Sequence, residues 1–209
     1  MALGVENCVS ISLRGVFYDS LSGNEETLGA SDEIPFILPA ATLDPRKFYG
    51  RLEPGVELER FSVLRVFPDA QGWPFDFAPF YRVLEAASRS GLPVMAPAMG
   101  HGSTTVLLRA TSKYGIPVIV TSVNYSTLSE VLALLPDHED MKVCIDMLNT
   151  PDGIELVCDE FGPEKLVFGS NFPTTYFQGP LLAVQKAQIS GGARRKILGE
   201  NAKKLVGIK

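Results

Sequence analysis

The chain of 209 residues contains two histidines, His101 and His138, and that count limits its chemistry first. A mechanism needing three or four imidazoles on one metal is excluded by arithmetic. His101 lies in Met99-Gly100-His101-Gly102-Ser103-Thr104-Thr105. Glycines beside hydroxyls at the opening of a helix can form a backbone nest for an anion. The segment lacks both the lysine of a phosphate loop and the G-x-G-x-x-G spacing of a dinucleotide site, so N-capping by Ser103 is the simpler expectation. His138, in Pro136-Asp137-His138-Glu139-Asp140, falls in a loop that enters a strand and is expected at the solvent. Cys8, Cys144 and Cys158 are odd in number and have no paired spacing, which reads as reduced thiols rather than a disulfide framework or a zinc knot. No G-x-S-x-G elbow occurs, and neither Cys144 nor Cys158 has a basic partner recognisable from sequence. A metal-free proton transfer using His101 with Asp146 is a further chemistry the residue types allow.

Charge and composition narrow the classes of partner. Lys and Arg number 19 against 24 Asp and Glu, a formal net charge of −5, without the clustered basic surplus of a nucleic-acid-binding domain. The longest apolar runs, such as residues 115–123, stop short of the roughly 20 residues needed to cross a bilayer. The first residues also lack the basic region of a signal peptide. No nucleic acid and no membrane are therefore expected as partners, and the cytoplasm is the expected location.

These side chains must be positioned by a repeated strand–helix pattern. Short apolar runs rich in Val, Ile and Leu recur at 8–13, 36–40, 62–66, 94–96, 118–122, 143–146 and 166–168, as in a buried parallel sheet. Helical periodicity fills the intervals at 77–90, 103–114 and 127–135, with a last helix at 192–206. Gly91, Gly115 and Pro136 supply the stops. Trp73-Pro74-Phe75-Asp76-Phe77-Ala78-Pro79-Phe80-Tyr81 is the densest aromatic stretch and could line a pocket or pack a helix. No linker or low-complexity tract divides the chain, so a single domain over 1–209 is expected. Periodicity admits either an open doubly wound sheet or a closed βα barrel, and both place function at the strand C-termini.

Three stretches resemble, in order, the metal-dependent hydrolases of the amidohydrolase superfamily, in the branch of decarboxylases and lactone hydrolases. They are Ile37-Leu38-Pro39-Ala40-Ala41-Thr42-Leu43-Asp44-Pro45-Arg46; then Leu64-Arg65-Val66-Phe67-Pro68-Asp69 through to Gly91-Leu92-Pro93-Val94; and Lys165-Leu166-Val167-Phe168-Gly169-Ser170-Asn171-Phe172-Pro173, closing with Ile197-Leu198-Gly199-Glu200-Asn201-Ala202. The resemblance implies an α/β fold, a TIM-like (β/α) barrel that is incomplete because the family's first strand is missing. That family's His-x-His pair has no counterpart after Met1-Ala2-Leu3-Gly4. Where the family carries a ligand His after its fifth strand, this chain reads Pro93-Val94-Met95-Ala96-Pro97-Ala98, and after the sixth it offers Ser122 and Asn124. The family's eighth-strand Asp, ligand and proton acceptor, appears as Asn171, and an amide is not a general base. A family metal needs several such ligands at once to lower the pKa of its water toward 7.

The expectation is therefore a degenerate amidohydrolase-like protein with no catalytic metal and no cofactor. It would bind a small molecule or a protein partner at the strand C-terminal face. The alternative is a metal-dependent hydrolase or decarboxylase of that superfamily with a non-standard or partner-completed site, so enzymatic activity stays open. His101 and Asn171 are the residues placed for catalysis, and Arg65, Ser122, Asn124, Asp146 and Asn149 for substrate binding. An incomplete barrel leaves open edges, so a homo-oligomer covering the open edge is expected.

Overall fold

The computed structural model describes residues 4–51 and 56–207. Seven parallel strands follow one another in chain order in one sheet: β1 (Cys8–Ser10), β2 (Ile37–Ala41), β3 (Val63–Arg65), β4 (Val94–Pro97), β5 (Val118–Thr121), β6 (Met141–Cys144) and β7 (Leu166–Val167). A doubly wound sheet would reverse its strand order at a switch point. Strictly sequential order is that of a (β/α) barrel, and the fold is a TIM-like barrel, incomplete, with seven strands described. All seven strands overlap the expected apolar runs: β1, β3, β5 and β7 are shorter, β2 is shifted by one residue, β4 runs one residue further, and β6 begins two residues earlier and ends at Cys144. No described helix is long and apolar enough to cross a membrane.

The helices are α1 (Leu13–Phe17), α2 (Ser20–Glu33), α3 (Pro68–Gln71), α4 (Ala78–Arg89), α5 (Ser103–Thr111), α6 (Leu128–Leu134), α7 (Gly153–Phe161), α8 (Gln178–Lys186), α9 (Gly191–Arg195) and α10 (Asn201–Leu205). The last expected helix is thus two α segments joined by a π-helical turn at Lys196–Glu200. By compactness the chain forms two units, one of residues 1–95 with 110–116 and the other of 96–109 with 117–209.

In the first unit β3 is buried through Val63 and Leu64, and α4 lays Phe80, Val83, Leu84 and Ala87 into the same core. Burying a leucine such as Leu64 or Leu84 contributes on the order of 2 kcal/mol. The aromatic stretch packs rather than lines a pocket: the Trp73, Phe75 and Phe80 rings lie 4.9 to 6.3 Å apart, and all three are buried. Helix α2 has no apolar stripe. Its buried face is Ser20, Gly23, Asn24 and Thr27. Asn24 donates its Nδ2 to the carbonyl of Thr42 and accepts the Thr42 N–H at its Oδ1, both at 2.9 Å, so the helix is held to the exit of β2 by hydrogen bonds. Gly23 is required there, since a Cβ would stand 2.1 Å from the backbone nitrogen of Gly15.

In the second unit β5 is buried along its whole length, and Leu107, Val131, Val157 and Ile197 supply the helical side of the core. Beyond β7, Gly169 lets two strand exits approach: a Cβ at this position would lie 2.3 Å from the Sγ of Cys144. His138 is half-buried, and Lys165 donates to its carbonyl at 3.0 Å.

Candidate functional site at the exits of β5, β6 and β7

Where β5 ends, the chain turns sharply at Ser122, whose φ of 60° lies in the left-handed region that L side chains rarely adopt. That turn aims the Ser122 N–H at the carboxylate of Asp146, 3.0 Å from Oδ1 and 3.2 Å from Oδ2. Asp146 follows β6 in a 3-10 turn and is only 6% exposed. A buried carboxylate needs such donors to remain ionised at acceptable cost.

The cluster continues from Ser122. Its carbonyl accepts from Asn124 Nδ2 at 3.3 Å, and Asn124 Oδ1 accepts from the backbone N–H and the hydroxyl of Ser126 at 3.0 and 2.7 Å. The Ser126 carbonyl lies 2.9 Å from His101 Nε2. A carbonyl can only accept, so Nε2 carries the proton, and a neutral ring presents Nδ1 as its acceptor. Four of the expected site residues, His101, Ser122, Asn124 and Asp146, are thereby brought into one connected cluster.

The other expected residues have surroundings of their own. Asn171, at the exit of β7, has φ 51°, a conformation Asn tolerates better than most, and its carbonyl receives the N–H groups of Thr174 and Thr175 at 2.9 and 3.3 Å. Asn149 is exposed beside a shallow hollow of about 280 Å3 that Thr150, Gly153 and Ala183 also line. Arg65 is in the first unit, at the end of β3, with its guanidinium 4.9 Å over the ring of Phe67.

The glycine-rich segment before α5 does form a nest of donors, and the chain fills it with its own carboxylate. Glu130 on α6 accepts the Gly102 N–H at 2.8 Å with Oε2, and the Thr105 N–H and hydroxyl, each at 2.7 Å, with Oε1. The expected cap, Ser103, instead accepts from Met99 N and donates to the Gly100 carbonyl. A full negative charge at a helix N-terminus is favoured over a hydroxyl, and Glu130 could not be found from local sequence because it is 25 residues distant.

The first unit holds a second polar group that sequence reasoning passed over. Arg46 forks onto Asp44, Nε to Oδ1 at 2.9 Å and a terminal nitrogen to Oδ2 at 2.8 Å, and donates to the Gln71 carbonyl at 2.6 Å. Gln71 in turn accepts from Trp73 Nε1 and donates to the Val16 carbonyl. Burial works to raise the Asp44 pKa, but the hydrogen bonds and charge of Arg46, with Lys47 beyond, outweigh it and hold the carboxyl below its usual value. The Asp–x–Arg spacing was the available signal. Elsewhere, burial and the nearby Asp159, Glu155 and Glu164 push the Cys158 thiol up to about 11, which suits an inert thiol and not a nucleophile.

The donor set does not fit the metal that the resemblance implies. Around β5, β6 and β7 the strand exits offer hydroxyls, amides, the Cys144 thiol packed against Gly169, and one carboxylate whose two oxygens both face the Ser122 N–H. Pro97 at the end of β4 has no donor atom in its side chain. Among the described residues no three His, Cys, Asp or Glu side chains are grouped so as to hold a metal ion.

Comparison with known proteins bears out the resemblance to the amidohydrolase superfamily. Residues 146–208 match the family described as Amidohydrolase. No protein of curated function matches by sequence. Among solved structures, an uncharacterised TIM-barrel protein from Bordetella bronchiseptica superposes with a TM-score of 0.73 at 15% identity, covering 88% of this chain and 72% of its own. The 5-carboxyvanillate decarboxylase of Sphingomonas paucimobilis gives 0.70 at 12% identity over 100% of this chain and 77% of its own. A dihydroxybenzoic acid decarboxylase from Polaromonas with bound manganese gives 0.69 at 14% identity, over 99% and 80%. At these identities the likeness shows the fold, the TIM barrel, and nothing finer.

Proposed function

We propose that the chain is a degenerate amidohydrolase-like protein that works without a catalytic metal and binds a small molecule or a protein partner at the strand C-terminal face of its second unit. The observation that carries this reading is where large apolar side chains reach solvent. Six do so in that unit among the described residues, and four of them stand on loops leaving strands: Met99 after β4 at 36% exposure, Tyr125 after β5 at 76%, and Phe172 and Tyr176 after β7 at 71% and 87%. Apolar and aromatic surface gathered at one end of a sheet is characteristic of a binding face. The polar groups beneath, Ser122, Asn124 and Asp146, hydrogen-bond one another and the backbone, which suits a rigid floor better than a reacting centre. His101, Asn149 and Asn171, at the exits of β4, β6 and β7, are the further ligand contacts of this reading.

Two assays test the reading. The protein is incubated with 5-carboxyvanillate, with and without added manganese or zinc, and substrate loss is followed by chromatography. The reading expects no loss above buffer, whereas turnover abolished by Asp146→Asn establishes a decarboxylase with a non-standard site. In parallel, fluorescence of anilinonaphthalene sulfonate is expected to rise with the native protein and to fall when Tyr125, Phe172 and Tyr176 are replaced by Ala. An unchanged signal removes the binding face.

A further inference from the structure

Strand β7 is the last in the sheet, and its outer edge is closed by the C-terminal helix of the same chain. Pairing of Leu166 with Val143 and of Val167 with Cys144 leaves one edge of this two-residue strand turned away from β6. Backbone groups alternate along a strand, so Leu166 and Phe168, two residues apart, share that edge. Both find partners in the terminal helical segment. The Phe168 N–H donates to the Ile197 carbonyl at 2.9 Å, and Asn201 Nδ2 donates to the Leu166 carbonyl at 2.7 Å and to the Pro163 carbonyl at 2.8 Å. Ile197 lies within the π-helical turn Lys196–Glu200, where wider spacing disturbs the regular ladder and leaves a carbonyl able to accept from outside the helix. Lys196 also pairs with Glu164 on the loop that leads into β7.

We propose that the π-helical turn and Asn201 act as a built-in strap that stands in for a neighbouring strand, keeping the β7 edge from pairing with another chain. Unpaired edge groups are a template for edge-to-edge association, and covering them with a helix is one of the few ways a sheet prevents it. The strap goes beyond the binding role above and would operate whether or not that role holds. It also removes β7 as the edge through which an oligomer of this chain is completed.

Asn201→Ala removes the double donor, and Asn201→Asp keeps its size while offering acceptors only. Sedimentation velocity over a concentration series is expected to show, for both, species larger than any wild-type species, increasing with concentration. Folding is checked by circular dichroism. In wild-type protein the Phe168 amide is expected to exchange at least about 100-fold more slowly than in an unstructured peptide, and in folded variants to lose most of that protection. Variants that sediment as wild type with Phe168 still protected overturn the proposal. Should both variants unfold, the wild-type amide decides: fast exchange at Phe168 overturns the strap, and slow exchange supports it.

Discussion

The backbone N–H of Ser122 points between the two carboxylate oxygens of Asp146, at 3.0 and 3.2 Å, so the exit of β5 is fastened to the exit of β6. The resemblance of residues 146–208 to the amidohydrolases begins at this aspartate. In this chain its carboxylate serves the neighbouring backbone, and that relationship gives the first prediction.

Asp146→Asn leaves a neutral acceptor where an ionised one stood. Hydrogen bonds to a charged group are worth about 1.5–3 kcal/mol and neutral ones about 0.5–1.5, so a loss of about 1 kcal/mol is expected in urea unfolding. A variant as stable as wild type would show that the Ser122 contact contributes nothing to the fold.

Ser122 carries its N–H to Asp146 at the cost of a left-handed backbone. Ser122→Gly keeps that N–H and removes the steric penalty, and a gain of about 1 kcal/mol is expected in the same assay. Asn171→Gly should gain less, because Asn already tolerates φ near 51°. Equal gains at the two sites would contradict this ordering.

Glu130 accepts three hydrogen bonds at the opening of α5, two from backbone N–H groups and one from a hydroxyl. Glu130→Ala is expected to cost about 2 kcal/mol, and Glu130→Gln less, since one oxygen acceptor survives. Thermal unfolding of the two variants checks the order.

Asp19 caps α2 through the Ser22 N–H and pairs with Lys47 at 3.2 Å. The backbone bond to Ser22 is the largest influence lowering its pKa, from 3.8 to about 2. A pKa depressed by folding contributes stability that is fully present above pH 3.8 and is lost as the pH falls toward 2. The cap is worth about 1 kcal/mol, with the ionic share reduced by solvent at this one-third exposed site. Asp19→Asn should flatten the stability–pH curve between pH 4 and 2, and an unchanged slope there would remove Asp19 from the acid response.

The strands were legible because most are short, largely apolar runs, and β5, residues 118–121, is buried along its whole length. The sequential strand order followed from the resemblance, since periodicity alone serves an open sheet equally well. Helix α2 escaped because its inward face is Ser20, Gly23, Asn24 and Thr27, fixed by backbone approach and hydrogen bonds rather than by an apolar stripe. His101, Ser122, Asn124 and Asp146, expected from residue type and position at strand ends, lie in one hydrogen-bonded cluster. What joins them was not legible: the Ser122 turn and the reach of Glu130 to Gly102 are tertiary facts between residues far apart in the chain.

Metal content tests the central claim most directly. Untagged protein is purified without chelators, dialysed, and analysed for zinc, manganese and iron alongside wild-type and Asp146→Asn samples. With the Asp146 carboxylate held by the Ser122 N–H and a neutral amide at position 171, the account predicts metal well below one ion per folded chain in both. Near-stoichiometric metal in wild type that is lost in Asp146→Asn would contradict it and restore a metal-dependent hydrolase.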